Sequence, residues 1–161
     1  MMICDPKIDP SKLSVDDKIQ LIHESDGLLV DVLEGLEVEG HLYLYGCTSL
    51  THLPEGLEVG RSLCLDGCTS LTHLPEGLKI ERTLDLEGCT SFTHLPEGLK
   101  VGGDLDLCGC TSLTHLPEGL EVEHLNLGGC TSLPYKEYKE KDLPKSIKVK
   151  GKVLWLSIHR K

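Results

Sequence analysis

The chain has 161 residues, 39% of them hydrophobic, which is enough for one domain with a continuous core, and no shift of composition marks a second module. Its net charge of −10 is unevenly divided: residues 1–133 hold 7 Lys and Arg against 23 Asp and Glu, a net of −16, whereas residues 134–161 hold 9 against 3, a net of +6. That division excludes broad nucleic-acid binding by the body of the chain, since phosphates would be repelled, and no hydrophobic run reaches the length that spans a membrane.

The first residues, MMICDPKIDP, lack the basic-then-apolar order of a secretory signal. Ser14 followed by Asp17 reads as a capping box, and Val15, Ile19 and Ile22 recur at helical spacing until Asp26-Gly27 ends the segment. Residues 1–35 are therefore predicted to form an N-terminal helical cap. From Leu36 the chain repeats itself. Twelve letters at Gly46 to Leu57, GCTSLTHLPEGL, return at Gly67, Gly88 and Gly109 with one change, Phe92, and fix a period of 21 residues. The units run Leu36 to Gly56, Leu57 to Gly77, Leu78 to Gly98 and Leu99 to Gly119, with a degenerate copy from Leu120, so residues 36–133 hold five repeats.

Within a unit the apolar positions separate two geometries. Leu42 and Leu44 alternate at period two and belong to a strand with one buried face, whereas the three-residue steps Cys47, Leu50, Leu53 suit a tight return. Pro54, Glu55 and Gly56 then supply a turn. Residues 134–161 begin with a polar insert, PYKEYKEKD, expected as a loop or short helix outside the stack. LPKSIKVKGKVLWL (Leu143 to Leu156) then aligns with LPEGLKVGGDLDL (Leu95 to Leu107), so the chain closes on a sixth, incomplete unit carrying Trp155. Such a unit cannot bury its own apolar face, and the two ends act as caps on the stack.

The pattern L-x-L-x-G-C-x2-L-x2-L-P resembles the leucine-rich repeat family, in particular bacterial short repeats and the cysteine-containing variants of eukaryotic immune receptors, over Leu33 to Leu156. The resemblance implies an α/β solenoid: a right-handed coil with one parallel sheet, an N-terminal capping helix and a C-terminal capping half-repeat. It also implies a non-enzymatic protein-binding module whose strands form the concave face, and the role of a bacterial or viral effector or inhibitor. The expected location is cytoplasmic, or a host cell reached by a route without a cleavable signal peptide.

Five of the eight cysteines, Cys47, Cys68, Cys89, Cys110 and Cys130, occupy one repeat position. Coils about 4.8 Å apart stack these thiols as small buried groups with weak S–H donors toward backbone carbonyls. A linear stack does not converge as zinc ligands must, so reduced core cysteines are expected rather than a metal or disulfides. Cys64 and Cys108, at outward strand positions, and Cys4 near the terminus are expected to be the more reactive thiols. His52, His73, His94 and His115 form a second ladder, read as one duplicated surface histidine rather than a metal site.

Function is sought where the copies differ. With Leu42 and Leu44 inward, His41, Tyr43 and Tyr45 point outward, and their equivalents are Ser62, Cys64 and Asp66, then Thr83, Asp85 and Glu87, then Asp104, Asp106 and Cys108, then His124, Asn126 and Gly128. Tyr43 and Tyr45 are anchors of the kind enriched at interfaces, and Asp66, Asp85, Glu87, Asp104 and Asp106 make an acidic field beside them, with His124 and Asn126 at its far end. The expected partner is a protein with a basic patch, engaged by a monomer without cofactor, metal, nucleic acid or membrane. Solubilising charge on an unoccupied sheet is the plain alternative. Two further classes compete. A self-associating structural protein would stack end to end, against which the caps argue. A carboxylate-based hydrolase would use a pair such as Asp85 and Asp106, but an open strand surface gives such a pair no cleft.

Overall fold

The computed structural model describes residues 12–134 and 143–154. They form a parallel β-solenoid with one α-helix at its N-terminal end. The strands are only two residues long, and each pairs with its equivalent one coil away. Leu42–Tyr43, Leu63–Cys64, Leu84–Asp85, Leu105–Asp106, Leu125–Asn126 and Val153–Leu154 lie side by side as one six-stranded parallel sheet. Its register pairs Leu42 with Leu63, Leu63 with Leu84, Leu84 with Leu105 and Leu105 with Leu125, as the repeat predicts. The step from Leu105 to Leu125 is one residue shorter than the others, because Val122-Glu123-His124 replaces the four residues Val101 to Asp104 ahead of the strand.

The expectation of one sheet is corrected by a second parallel ribbon. Glu37–Val38, Glu58–Val59 and Lys79–Ile80 pair in order, single bridges link Ile80 to Val101 and Lys100 to Glu121, and Glu121–Val122 pairs with Lys148–Val149. The Leu-x-Val step of each unit is thus a short strand of its own, with Val38, Val59, Ile80, Val101 and Val122 turned into the core. Between the two ribbons the leucine positions and the ladder cysteines are sealed from water, and Phe92 occupies its leucine slot with no exposed surface. Each coil needs two left-handed residues: the glycines at the Gly46 position, φ 69°, and at the Gly56 position, φ 72°, where a side chain would be strained.

The helix, α1, spans Val15–Glu24 and starts at the predicted box: Ser14 accepts from the Asp17 backbone N–H, and the Asp17 carboxylate accepts from the Ser14 backbone N–H. Ile22 is fully buried, and Val15 and Ile19 pack partly against the first coil. A 3₁₀ turn, Val30–Leu33, buries Val30 and Leu33 and leads into the first strand. At the other end, Lys148–Val149 and Val153–Leu154 extend both ribbons, so the incomplete sixth unit joins the stack. The polar insert from Tyr135 and Trp155 fall outside the described residues, as does Cys4.

Candidate functional site

The register settles which side chains share the outer surface of the six-stranded sheet. Tyr43, Cys64, Asp85, Asp106, Asn126 and Leu154 form its central row, each beside the next across a strand pair. His41, Ser62, Thr83, Asp104 and His124 make the row before it, and Tyr45, Asp66, Glu87, Cys108 and Gly128 the row after. Every predicted site residue therefore lies on one face. Tyr43, Tyr45, His41, Glu87 and Asp104 are exposed, and Asp66, Asp85, Asp106, His124 and Asn126 are half-buried.

The carboxylates of the central row do not simply point to solvent, as the sequence implied. Asp85 accepts from the Glu87 backbone N–H at 3.0 Å and Asp106 from the Cys108 N–H at 2.8 Å, and the Asn126 side-chain carbonyl takes the Gly128 N–H at 3.1 Å. A short polar side chain thus satisfies the N–H two residues on, where the strand gives way to the turn, an Asx-type local bond that the repeat carries in three coils. Lateral bonds tie the coils: Asn126 Nδ2 donates to Asp106 at 3.0 Å, and His124 Nδ1 lies 2.8 Å from an Asp104 oxygen. Burial holds the Asp85 carboxyl above its ordinary range, and the neighbouring charges of Asp106 and Asp66 push the same way.

Cys64 donates its S–H to Asp66 at 3.1 Å and faces Asp85 at 3.8 Å. Burial first, then the Asp66 hydrogen bond and the charges of Asp85 and Asp66, push this thiol up to about 12. Cys108 is shifted upward as well, by burial and then by Asp106 and Glu87. These two are half-buried whereas the ladder cysteines are buried, so they are the more accessible thiols among the described residues, and the upward shift lowers the thiolate fraction of both. The three ligand-type atoms of Cys64, Asp66 and Asp85 lie within 4.8 Å of one another, with the thiol donating to Asp66.

The ladder cysteines behave as stacking predicts. Cys68 donates to the Leu44 carbonyl at 3.1 Å, Cys89 to Leu65 at 3.2 Å, Cys110 to Leu86 at 3.1 Å and Cys130 to Leu107 at 3.0 Å, always one coil back. Cys47 has no coil behind it, and His23 of α1 takes that place. The His23 Nε2 lies 2.9 Å from the Tyr43 carbonyl and its Nδ1 3.7 Å from the Cys47 sulfur. In the neutral ring protonated at Nε2, one imidazole supplies both the donor a preceding strand would give Tyr43 and the acceptor it would give Cys47. Beside it Asp26, at φ 53°, accepts from the Thr48 and Ser49 backbone N–H groups and from both hydroxyls. Neither junction is legible in the repeat, because each pairs a residue used once with a residue that recurs.

The histidine ladder is exposed, and each ring Nδ1 sits about one hydrogen bond from the hydroxyl of the preceding threonine, as for Thr93 and His94 at 2.9 Å. His73 and His94 stack 6.0 Å apart and within 2° of parallel. Parallel rings at that spacing aim their lone pairs side by side rather than at a common point, unlike a chelating pair.

Charge is arranged differently on the second ribbon. Glu58 pairs with Lys79, and Glu121 with Lys148 at 2.8 Å and Lys100 at 3.8 Å. A groove of about 660 Å³ opens there, lined by Val38, Glu58, Lys79, Ile80, Glu97 and Lys100 among others, away from the predicted site. On the six-stranded sheet, among the described residues, no Lys or Arg pairs with Asp66, Asp85, Glu87, Asp104 or Asp106.

Fold and face together define a repeat solenoid of 21-residue coils with one sheet surface whose carboxylates, among the described residues, pair with no Lys or Arg. Comparison with protein-family models, with curated proteins and with solved structures returned no match.

Proposed function

We propose that the chain is a non-enzymatic leucine-rich repeat module, capped at both ends, that binds a protein bearing a basic patch through the outer surface of its six-stranded sheet. The observation that carries the reading is the contrast between the two ribbons: lysines pair with Glu58 and Glu121 of one, whereas among the described residues no Lys or Arg pairs with the carboxylates of the other. Uncompensated charge of one sign on a fixed scaffold steers and selects a partner of the other sign. The local backbone bonds of Asp85 and Asp106 fit that use, because they hold the carboxylates in place before any partner arrives. Catalysis is not proposed: the carboxylates lie on a strand surface, while the groove runs along the other ribbon. The role of effector or inhibitor rests on the family resemblance alone.

Affinity capture tests the reading with a charge-neutralised variant, Asp66→Asn, Asp85→Asn, Glu87→Gln, Asp104→Asn and Asp106→Asn. Asparagine is chosen because Asn126 already makes the same bond to the backbone in the fifth coil, so neutralisation leaves that bond possible. Proteins retained by the wild type should be lost from this variant and kept by Glu76→Gln with Glu97→Gln on the return turns. Loss from the turn variant alone would rule out the sheet face.

A further inference from the structure

Among the described residues, phenylalanine, tyrosine and tryptophan are represented by three side chains, and two of them, Tyr43 and Tyr45, stand at the N-terminal end of the sheet face. They are 48% and 54% exposed, far more than the buried Phe92, so neither serves the core. Both rings are buttressed. His41 lies against Tyr43 with centroids 5.7 Å apart and 12° between planes, and His23 against Tyr45 at 5.4 Å and 53°. The Tyr43 strand residue pairs with Cys64, whose thiol is bonded to Asp66, and the Gly46 N–H bonds the Asp66 carbonyl at 2.8 Å, which sets Asp66 across from Tyr45 in the next coil. Two presented aromatic rings thus stand one strand away from Asp66 and two from Asp85, whose carboxylate lies beside the Cys64 thiol and the Asp66 carboxylate, and no lysine or arginine of the described residues pairs with either carboxylate.

We infer that this end of the face receives an arginine side chain of the basic partner, its guanidinium lying against Tyr43 and Tyr45 and directed toward the Asp66 and Asp85 carboxylates. The inference rests on the proposed binding role of the sheet and names the chemistry recognised there. A guanidinium fits the two features together: it is planar, stacks on an aromatic ring, is less strongly hydrated than an ammonium, and keeps N–H donors at its edge for a carboxylate. A lysine ammonium would satisfy the carboxylates but gain less from the rings. The buttressing histidines restrict the tyrosine rotamers beforehand, so less freedom is lost on binding.

The experiment uses two synthetic peptides of equal length and charge, one with arginine as its only cation and one with lysine, titrated by calorimetry at near-physiological salt. The full chain is compared with Tyr43→Leu/Tyr45→Leu, which keeps apolar area without the ring, with Tyr43→Phe/Tyr45→Phe, which keeps the ring, and with the charge-neutralised variant. The arginine peptide should bind wild type about fivefold more tightly than the lysine peptide. That preference should persist in the phenylalanine variant and disappear in the leucine variant, while charge neutralisation should weaken both peptides. Equal binding of the two peptides, unchanged by leucine but weakened by charge neutralisation, would overturn the guanidinium inference and leave the acidic-face reading standing. Binding that ignores charge neutralisation, or no binding of either peptide, would overturn both.

Discussion

At the residue scale, the same side-chain type plays opposite parts at different positions. Asp26 is held below its ordinary carboxylate range by the Ser49 and Thr48 hydroxyls first and by their backbone N–H groups next, whereas Asp85 is held above it, chiefly by burial. Linkage turns these shifts into opposite pH dependences. The contribution of Asp26 is present above 3.8 and is lost as pH falls below that value, so Asp26→Asn should lower the denaturation midpoint at pH 7 by an amount that shrinks below pH 3.8. The contribution of Asp85 is present below 3.8 and is lost as pH rises through its raised pKa. Asp85→Asn keeps an acceptor for Glu87 and should therefore raise the midpoint at pH 7, with the gain fading toward pH 3.8. Paired urea titrations at the two pH values check both signs, and parallel shifts in the two variants would contradict the assignment. The buried thiols give a second expectation. Cys89 is 0% exposed and donates to Leu65, and burial pushes its thiol up to about 12. Cys89→Ser, smaller and more polar in an apolar slot, should cost about 1–3 kcal/mol by chemical denaturation. An unchanged midpoint would mean that the ladder is not packed as described.

At the scale of elements, legibility follows duplication. The strand at Leu42 and Leu44, its register and the cysteine ladder could be read because four near-identical copies leave one consistent alternation. The second ribbon escaped although Leu36-x-Val38 is copied in the same way, because the step follows directly on the turn position held by Pro54, Glu55 and Gly56, where a short extended pair reads as the end of the return loop. The Asx-type bonds had a readable signal: Asp85, Asp106 and Asn126 share one position and are all residues that bond the backbone two residues on. The capping box was legible as a local motif, while His23 and Asp26 reach 24 and 23 residues along the chain to seal the first coil, and nothing local announces that. The far end carries an expectation of its own. Truncation after Leu143 removes Lys148–Val149 and Val153–Leu154 and uncovers Val122, Leu125 and Leu127, which are buried in the whole chain. Aggregation should follow, read by light scattering. A soluble monomer with an unchanged circular dichroism spectrum would show that the sixth unit is not a cap.

Across the whole molecule, sequence duplication supplies a scaffold and divergence supplies a surface. The letters that repeat, such as Leu42, Leu44, Cys47 and Gly56, build the coil and its turns, and those that vary, Tyr43 to Asn126, share one face. Lysines pair with Glu58 and Glu121 on the second ribbon, and the fold places these pairs away from the acidic face of the six-stranded sheet. The most direct measurement is amide-resolved NMR of the full chain as the arginine peptide, or a protein retained by capture, is added. Binding through the sheet face predicts perturbations at Leu42 to Tyr45, Cys64 to Asp66, Asp85 to Glu87 and Asp104 to Asp106, weakening as salt is raised. Perturbations confined to the groove around Glu58, Lys79, Glu97 and Lys100, or to the His52 to His115 ladder, with the sheet face silent, would contradict it.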